Sequence, residues 1–153
     1  MLELRLLRAD ETDAAARQHR AAGALIPGFD PSLHSEAETC DFYRGVFARG
    51  PIWGAYDGDD LIGHLALESG WIGHLYVEPS RHGEGVGRML VELAQREQDD
   101  LQLYTYQANE RARRLYERAG FVAEEYGFDP EHDDRVPNVR YRWRRLTTGT
   151  PPP

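Results

Sequence analysis

The stretch Leu75-Tyr76-Val77-Glu78-Pro79-Ser80-Arg81-His82-Gly83-Glu84-Gly85-Val86-Gly87-Arg88 decides the fold of this chain. An apolar run ends at a proline, and a glycine-rich turn opens the next segment. From Val86 on, apolar residues recur at Met89, Leu90, Leu93 and Ala94, the spacing of one helix face. The stretch therefore reads as strand, turn and helix. Glycines let a backbone come close to a ligand with no Cβ in the way. A helix start presents N–H groups without intrahelical partners and a partial positive charge, which suits an anion such as a pyrophosphate. A Gly-x-Gly turn alone is common, so a second segment is needed.

That segment is Asn109-Glu110-Arg111-Ala112-Arg113-Arg114-Leu115-Tyr116-Glu117-Arg118-Ala119-Gly120-Phe121. Together the two resemble the GNAT family of acetyl-CoA-dependent N-acetyltransferases. The family's cofactor turn reads Gln/Arg-x-x-Gly-x-Gly/Ala after a strand. Its next motif is a helix reading Asn-x-x-Ala-x-x-x-Tyr, followed by Gly-Phe. Asn109, Ala112, Tyr116, Gly120 and Phe121 match in order, and the resemblance covers residues 2–143. One position departs: His82 stands where the family has Gln or Arg. It can still donate a hydrogen bond, and Arg81 lies beside it.

The resemblance implies a mixed, mostly antiparallel α/β sheet flanked by helices and splayed between its fourth and fifth strands. It implies acetyl-CoA as co-substrate and no metal. The pantetheine arm would lie along backbone groups of Leu75, Tyr76 and Val77. The pyrophosphate would lie on the turn formed by His82, Gly83, Glu84, Gly85, Val86, Gly87 and Arg88. Asn109, Ala112 and Tyr116 would complete the cofactor site, with Tyr116 as the acid that protonates the leaving thiolate. A homodimer would be common for such a family.

The residues carry a reading of their own beside the resemblance. A chain of 153 residues is expected to form one domain, over 1–146, with 147–153 as a disordered tail. No apolar run approaches the ~20 residues that span a bilayer. The first residues lack a secretory leader's apolar core, and Cys40 is the only cysteine, so a cytoplasmic protein is expected. The six histidines show no zinc spacing. A net charge of −8 argues against nucleic-acid binding, which needs basic patches against phosphates. Coenzyme A is also polyanionic, but Arg81, Arg88, Arg111, Arg113 and Arg114 cluster around the two motifs.

Period and punctuation give the element order. Strands are expected at 2–6, 52–56, 61–67, 71–77, 101–105, 121–125 and 139–143. Helices are expected at 14–22 with Asp10 as cap, from Ser35 with Glu38 completing a capping box, from Val86, and from Asn109. This is a layered α/β order.

Transfer of an acyl group to an amine also needs a base. Relatives carry a carboxylate on the strand before the glycine turn, on the face shared by Leu75 and Val77. Unbroken alternation puts Trp71 and Gly73 there, and neither takes a proton. His34 is the catalytic base expected instead, since its ordinary pKa near ~6.5 suits the task. His74, on the opposite face, Glu68 and Glu131 through water, and a water chain with no dedicated base stay open. The acceptor pocket is expected from residues 24–38 and 126–137, with Phe29, His34, Trp71, Tyr126 and Glu131 around a primary amine. Acids at Asp129, Glu131, Asp133 and Asp134 would favour a cationic one. The missing carboxylate also leaves room for a non-catalytic acyl-CoA-binding or sensor module of the same fold.

Overall fold

The computed structural model describes residues 2–128 and 136–146. The expected tail at 147–153, Glu131 and the acids of residues 129–134 lie outside the described residues. The order is β1 (Leu2–Leu6), α1 (Thr12–Gly23), α2 (Glu36–Arg49), β2 (Ile52–Asp57), β3 (Asp60–Glu68), β4 (Trp71–Val77), α3 (Val86–Glu97), β5 (Asp100–Tyr106), α4 (Glu110–Arg118), β6 (Val122–Phe128) and β7 (Pro137–Arg144). The strands form one sheet in the order β1-β2-β3-β4-β5-β7-β6. Every neighbouring pair is antiparallel except β4 and β5.

Strand alternation divides the core between the two sheet faces. Leu65 and Leu67 of β3 join Leu90, Val91 and Ala94 of α3, Leu101 and Leu103 of β5 and Tyr141 of β7. Ala66, between them in sequence, joins Ala15 and Ala16 of α1 and Cys40, Tyr43 and Val46 of α2. The helices cover the sheet in pairs, α3 and α4 on one face, α1 and α2 on the other. Among the described residues, no helix is long and apolar enough to cross a membrane.

The Ser35/Glu38 box closes as expected: Ser35 Oγ accepts from the Glu38 N–H, and the Glu38 carboxylate accepts from the Ser35 N–H. Asp10 does not cap α1. Residues Ala9–Glu11 form a 3-10 turn, and Glu11 is the anchoring acid. Its carboxylate accepts both Arg5 guanidinium nitrogens at 3.0 Å, the Arg8 N–H at 2.8 Å and the Tyr56 hydroxyl at 3.0 Å.

The Arg5 hydrogen bonds, above all, lower the Glu11 pKa from 4.5 to about 2. A carboxylate depressed in the folded state stabilises it above the unfolded pKa. That contribution is lost as pH falls through the folded value. Glu11→Gln is therefore expected to cost about 2 kcal/mol at pH 7. The gap to wild type should close as pH drops from 4.5 towards about 2. Urea unfolding across that range checks it; a gap that does not narrow would assign the loss to something other than charge.

The sheet departs from simple alternation at one place that matters for the site. Ala66 pairs with His74, but Leu67 pairs with Ile72, so β4 carries an extra residue around Gly73. The bulge resets which face each β4 side chain meets. Ile72, Leu75 and Val77 pack with the α3 side of the core. Trp71 stacks on Tyr104, with ring centroids 5.5 Å apart. His74 and Tyr76 turn towards α1, where both meet the His19 ring. Trp71 thus lies opposite Leu75 and Val77, correcting the face that unbroken alternation assigned to it.

Candidate active site

β4 and β5 register only at Trp71 and Gln102 among the described residues. β4 continues along β3, and β5 follows β7 for its whole length. The two central strands therefore part, and the β4 edge beyond Trp71 opens on a cleft. This is the splay expected between the fourth and fifth strands. The cleft has a volume of about 2260 Å³ and runs from the start of α3, along β4, to the space beneath α1 and α2.

At the α3 end, Gly83 and Gly85 have φ of +84° and +85°, a region that side chains with a Cβ rarely adopt. A Cβ at either would meet no atom within 4 Å, so the backbone stands open to the cleft. Gly85 is the N-cap of α3 and brings no side chain to its N–H groups. Gly87 serves a different purpose. A Cβ there would lie 3.2 Å from Leu115 Cδ2, so this glycine allows α3 to pack on α4.

The residues around the turn are more committed to the protein than the sequence suggested. His82 Nε2 donates to the Val77 carbonyl at 2.9 Å and ties the turn to the strand end. Arg81 pairs with Asp57 at 3.1 Å and Glu84 at 2.9 Å. Glu84 is thereby turned to Arg81 and does not line the cleft. Arg113 donates to the hydroxyls of Tyr141 and Tyr126 and to the Gln107 carbonyl, so it belongs to the packing of α4. Arg81, Arg88, Arg111 and Arg114 line the cleft; Arg88 pairs there with Glu92 at 2.9 Å and Arg114 with Glu110 at 3.9 Å.

Asn109 caps α4 by accepting from the Ala112 N–H at 3.2 Å. The cap fixes where α4 starts, and so which face carries Tyr116. That tyrosine is 6% exposed, packs against the Phe121 and Tyr141 rings, and still reaches the cleft wall. Burial pushes its phenol well above the usual value, so the hydroxyl keeps its proton at neutral pH.

At the other end, Phe29, His34 and Trp71 line the cleft. His34 sits at the rim with its side chain 65% exposed and 3.9 Å from Glu38. Glu68 pairs with Arg49 at 3.3 Å. Tyr126 is not on the cleft: it is exposed on β6 and held by Arg113. The residues of this wall that sequence reasoning missed are His19 and Phe42; His74, also here, was an open candidate for the base, and Tyr76 was expected only for its backbone. His74 and Tyr76 reach the wall by alternating with Leu75 and Val77, beyond the bulge at Gly73.

Behind the wall runs a row of buried polar groups. Gln18 Oε1 lies 2.8 Å from His64 Nδ1, His64 Nε2 lies 2.8 Å from the Tyr43 hydroxyl, and that hydroxyl lies 2.8 Å from His19 Nδ1. His64 and Tyr43 are each 0% exposed. Burial drives the His64 pKa well down and the Tyr43 pKa well up, so both are neutral at physiological pH.

A family model described as an acetyltransferase (GNAT) domain matches residues 48–123, which hold β4, the glycine turn, α3, β5 and α4. The peptidyl-lysine N-acetyltransferase YjaB of Escherichia coli strain K12 is 31% identical over 91 residues, 59% of this chain. The match spans 62% of that relative, less than two thirds of its length. The solution structure of apo-form YjaB from Escherichia coli is similar at a TM-score of 0.76 and 23% identity, covering 95% of this chain and 99% of that one. The crystal structure of the PaiA N-acetyltransferase from Thermoplasma acidophilum in complex with coenzyme A is similar at a TM-score of 0.71 and 16% identity, covering 94% and 99%. With the splayed strands, the glycine-capped α3 and the Asn109–Tyr116 helix face in one cleft, these likenesses agree: the chain belongs to the GNAT family of acetyltransferases.

Proposed function

We propose that the protein is an N-acetyltransferase that moves the acetyl group of acetyl-CoA to a primary amine by direct attack in a ternary complex. One observation carries this: the parted β4 edge, the glycine-capped start of α3 and Tyr116, which keeps its proton, share a single cleft. The residues fit the co-substrate. The backbone at Gly83 and Gly85 is open where a polyanion would approach, and arginines line the same wall. When bound, acetyl-CoA supplies the activated acetyl thioester.

The chain's own groups then divide the work. The α3 N–H groups hold the diphosphate, and the β4 edge orients the amide-bearing arm. Tyr116 keeps its proton until the thiolate leaves and then donates it. At the α1–α2 end, Phe29, Phe42, Trp71 and Tyr104 wall the acceptor's path with aromatic rings. Such walls take the apolar stem of an amine, and ring faces attract its cationic head. The relative's name makes a peptide lysine side chain the first acceptor to try.

The test is thiol release from acetyl-CoA against a panel of amines: lysine peptides, free amino acids, polyamines and arylalkylamines. Amine-dependent release with a matching acetylated product by mass spectrometry is expected. Binding of acetyl-CoA with no release for any amine would replace this reading with that of a binding module.

A further inference from the structure

We infer that His19 is the general base of this site, its basic nitrogen fixed as Nε2 by the hydrogen-bonded row Gln18–His64–Tyr43 behind it. The assignment rests on the acetyltransferase reading above. The orientation of the row follows from one backbone atom. Gln18 Nε2 lies 3.0 Å from the Leu61 carbonyl, which only accepts. The amide must therefore turn its NH₂ to Leu61 and its oxygen to His64. The reverse orientation would set two carbonyl oxygens against each other.

His64 Nδ1 then has to donate to that oxygen. The His64 ring is wholly buried and neutral, so its Nε2 carries a lone pair, and Tyr43 donates to it. The Tyr43 proton being spent, its oxygen accepts from His19 Nδ1. His19 is held as the Nδ1–H tautomer, and a proton from the cleft is taken at Nε2. Every donor in the row points away from the cleft. The first and last residues of the row are consecutive on α1.

The position suits the task. His19 lines the cleft, and its ring centroid lies 4.2 Å from that of Tyr76, on the strand that parts from β5. Among the described residues, the titratable groups against it include Tyr43 from α2, His64 from β3 through Tyr43, and His74 and Tyr76 from β4, with Phe29 as an apolar neighbour. His34, at the rim and beside Glu38, has no comparable support.

The step balances as follows. The acceptor enters as R–NH₃⁺, and His19 Nε2 takes one proton. The freed lone pair forms the N–C bond at the thioester carbonyl as the C=O π pair moves to oxygen. Collapse restores C=O and breaks C–S, and Tyr116 protonates the departing sulfur. The second ammonium proton leaves the amide nitrogen and restores Tyr116, and His19 returns its proton to water. The products are the N-acetyl amide, CoA thiol and one released proton.

Two measurements test this. In the ligand-free protein, ¹⁵N imidazole spectra should show His19 and His64 as Nδ1–H tautomers. Tyr43→Phe should return His19 to the commoner Nε2–H form. Wild-type His19 found as Nε2–H overturns the inference whatever the activity. In turnover, His19→Asn should lower kcat/KM about 10²-fold at neutral pH. The defect should shrink as pH rises towards the amine's own pKa, where no base is needed. Tyr43→Phe should give a smaller loss with a displaced acidic limb. An active wild type with an unchanged His19→Asn profile overturns the base alone. A wild type that acetylates no amine overturns the enzymatic reading, and the base with it.

Discussion

Tyr116→Phe is expected to lower kcat by about 10²–10⁴-fold, the range that a general acid supplies, with little change in the affinity for acetyl-CoA. The substitution is clean because the phenyl ring keeps the contacts with Phe121 and Tyr141. Stability should stay within about 1 kcal/mol of wild type, the usual worth of one hydroxyl. The loss should fall on the step in which sulfur departs. A more acidic thiol leaving group needs no proton from the enzyme, so acetyl thioesters of increasing thiol acidity should recover turnover in the variant. Because burial raises the Tyr116 pKa, the wild type should hold its acid form across the neutral and mildly alkaline range. Any alkaline loss of rate below pH about 10 then belongs to another group. A Phe variant with full turnover would leave Tyr116 as a packing residue.

The part of this molecule legible in its sequence is the part written in local chemistry. The Ser35/Glu38 box, the hairpin turn at Gly58, the Gly85 helix start and the Asn109 cap each depend on residues within one turn of chain, and each was readable. The order of elements along the chain followed from period and punctuation. The His19 side of the acceptor wall was not readable, for two physical reasons. A single inserted residue at Gly73 reverses the facing of Trp71 relative to Leu75, and a glycine inside a strand hints at a bulge without fixing the register around it. The row Gln18–His64–Tyr43–His19 joins α1, α2 and β3 across separations of 21 to 46 residues. No spacing along the chain brings these groups together; they meet only in space. The basic cluster was half legible. Arg113 sits one residue from Ala112 in the motif, yet it is bound to two tyrosines. Sequence proximity to a motif did not say which way that side chain points.

Gly85 and Gly87 stand two residues apart in the same motif and should respond differently. Gly85→Ala places a Cβ where φ is +85°. The left-handed conformation costs a residue with a Cβ roughly 1–2 kcal/mol, so some loss of stability is expected. The larger effect should be on the ligand, because nothing of the protein lies within 4 Å of that Cβ and it stands in the open cleft. A Cβ there would keep a diphosphate from the α3 N–H groups. Each charge-assisted hydrogen bond lost is worth about 1.5–3 kcal/mol, so the Kd for acetyl-CoA should rise at least about tenfold. Gly87→Ala has an ordinary backbone conformation and directs its Cβ at Leu115 Cδ2, 3.2 Å away. The flexible Leu115 end has to give by a few tenths of an ångström, a cost to α3–α4 packing and not to the diphosphate. Its melting temperature should move while its Kd stays near wild type. Calorimetry and thermal melts on both variants separate the two roles. If Gly85→Ala binds acetyl-CoA as tightly as wild type, the diphosphate does not rest on this turn, and the arginines on the cleft wall become the anion site to test next.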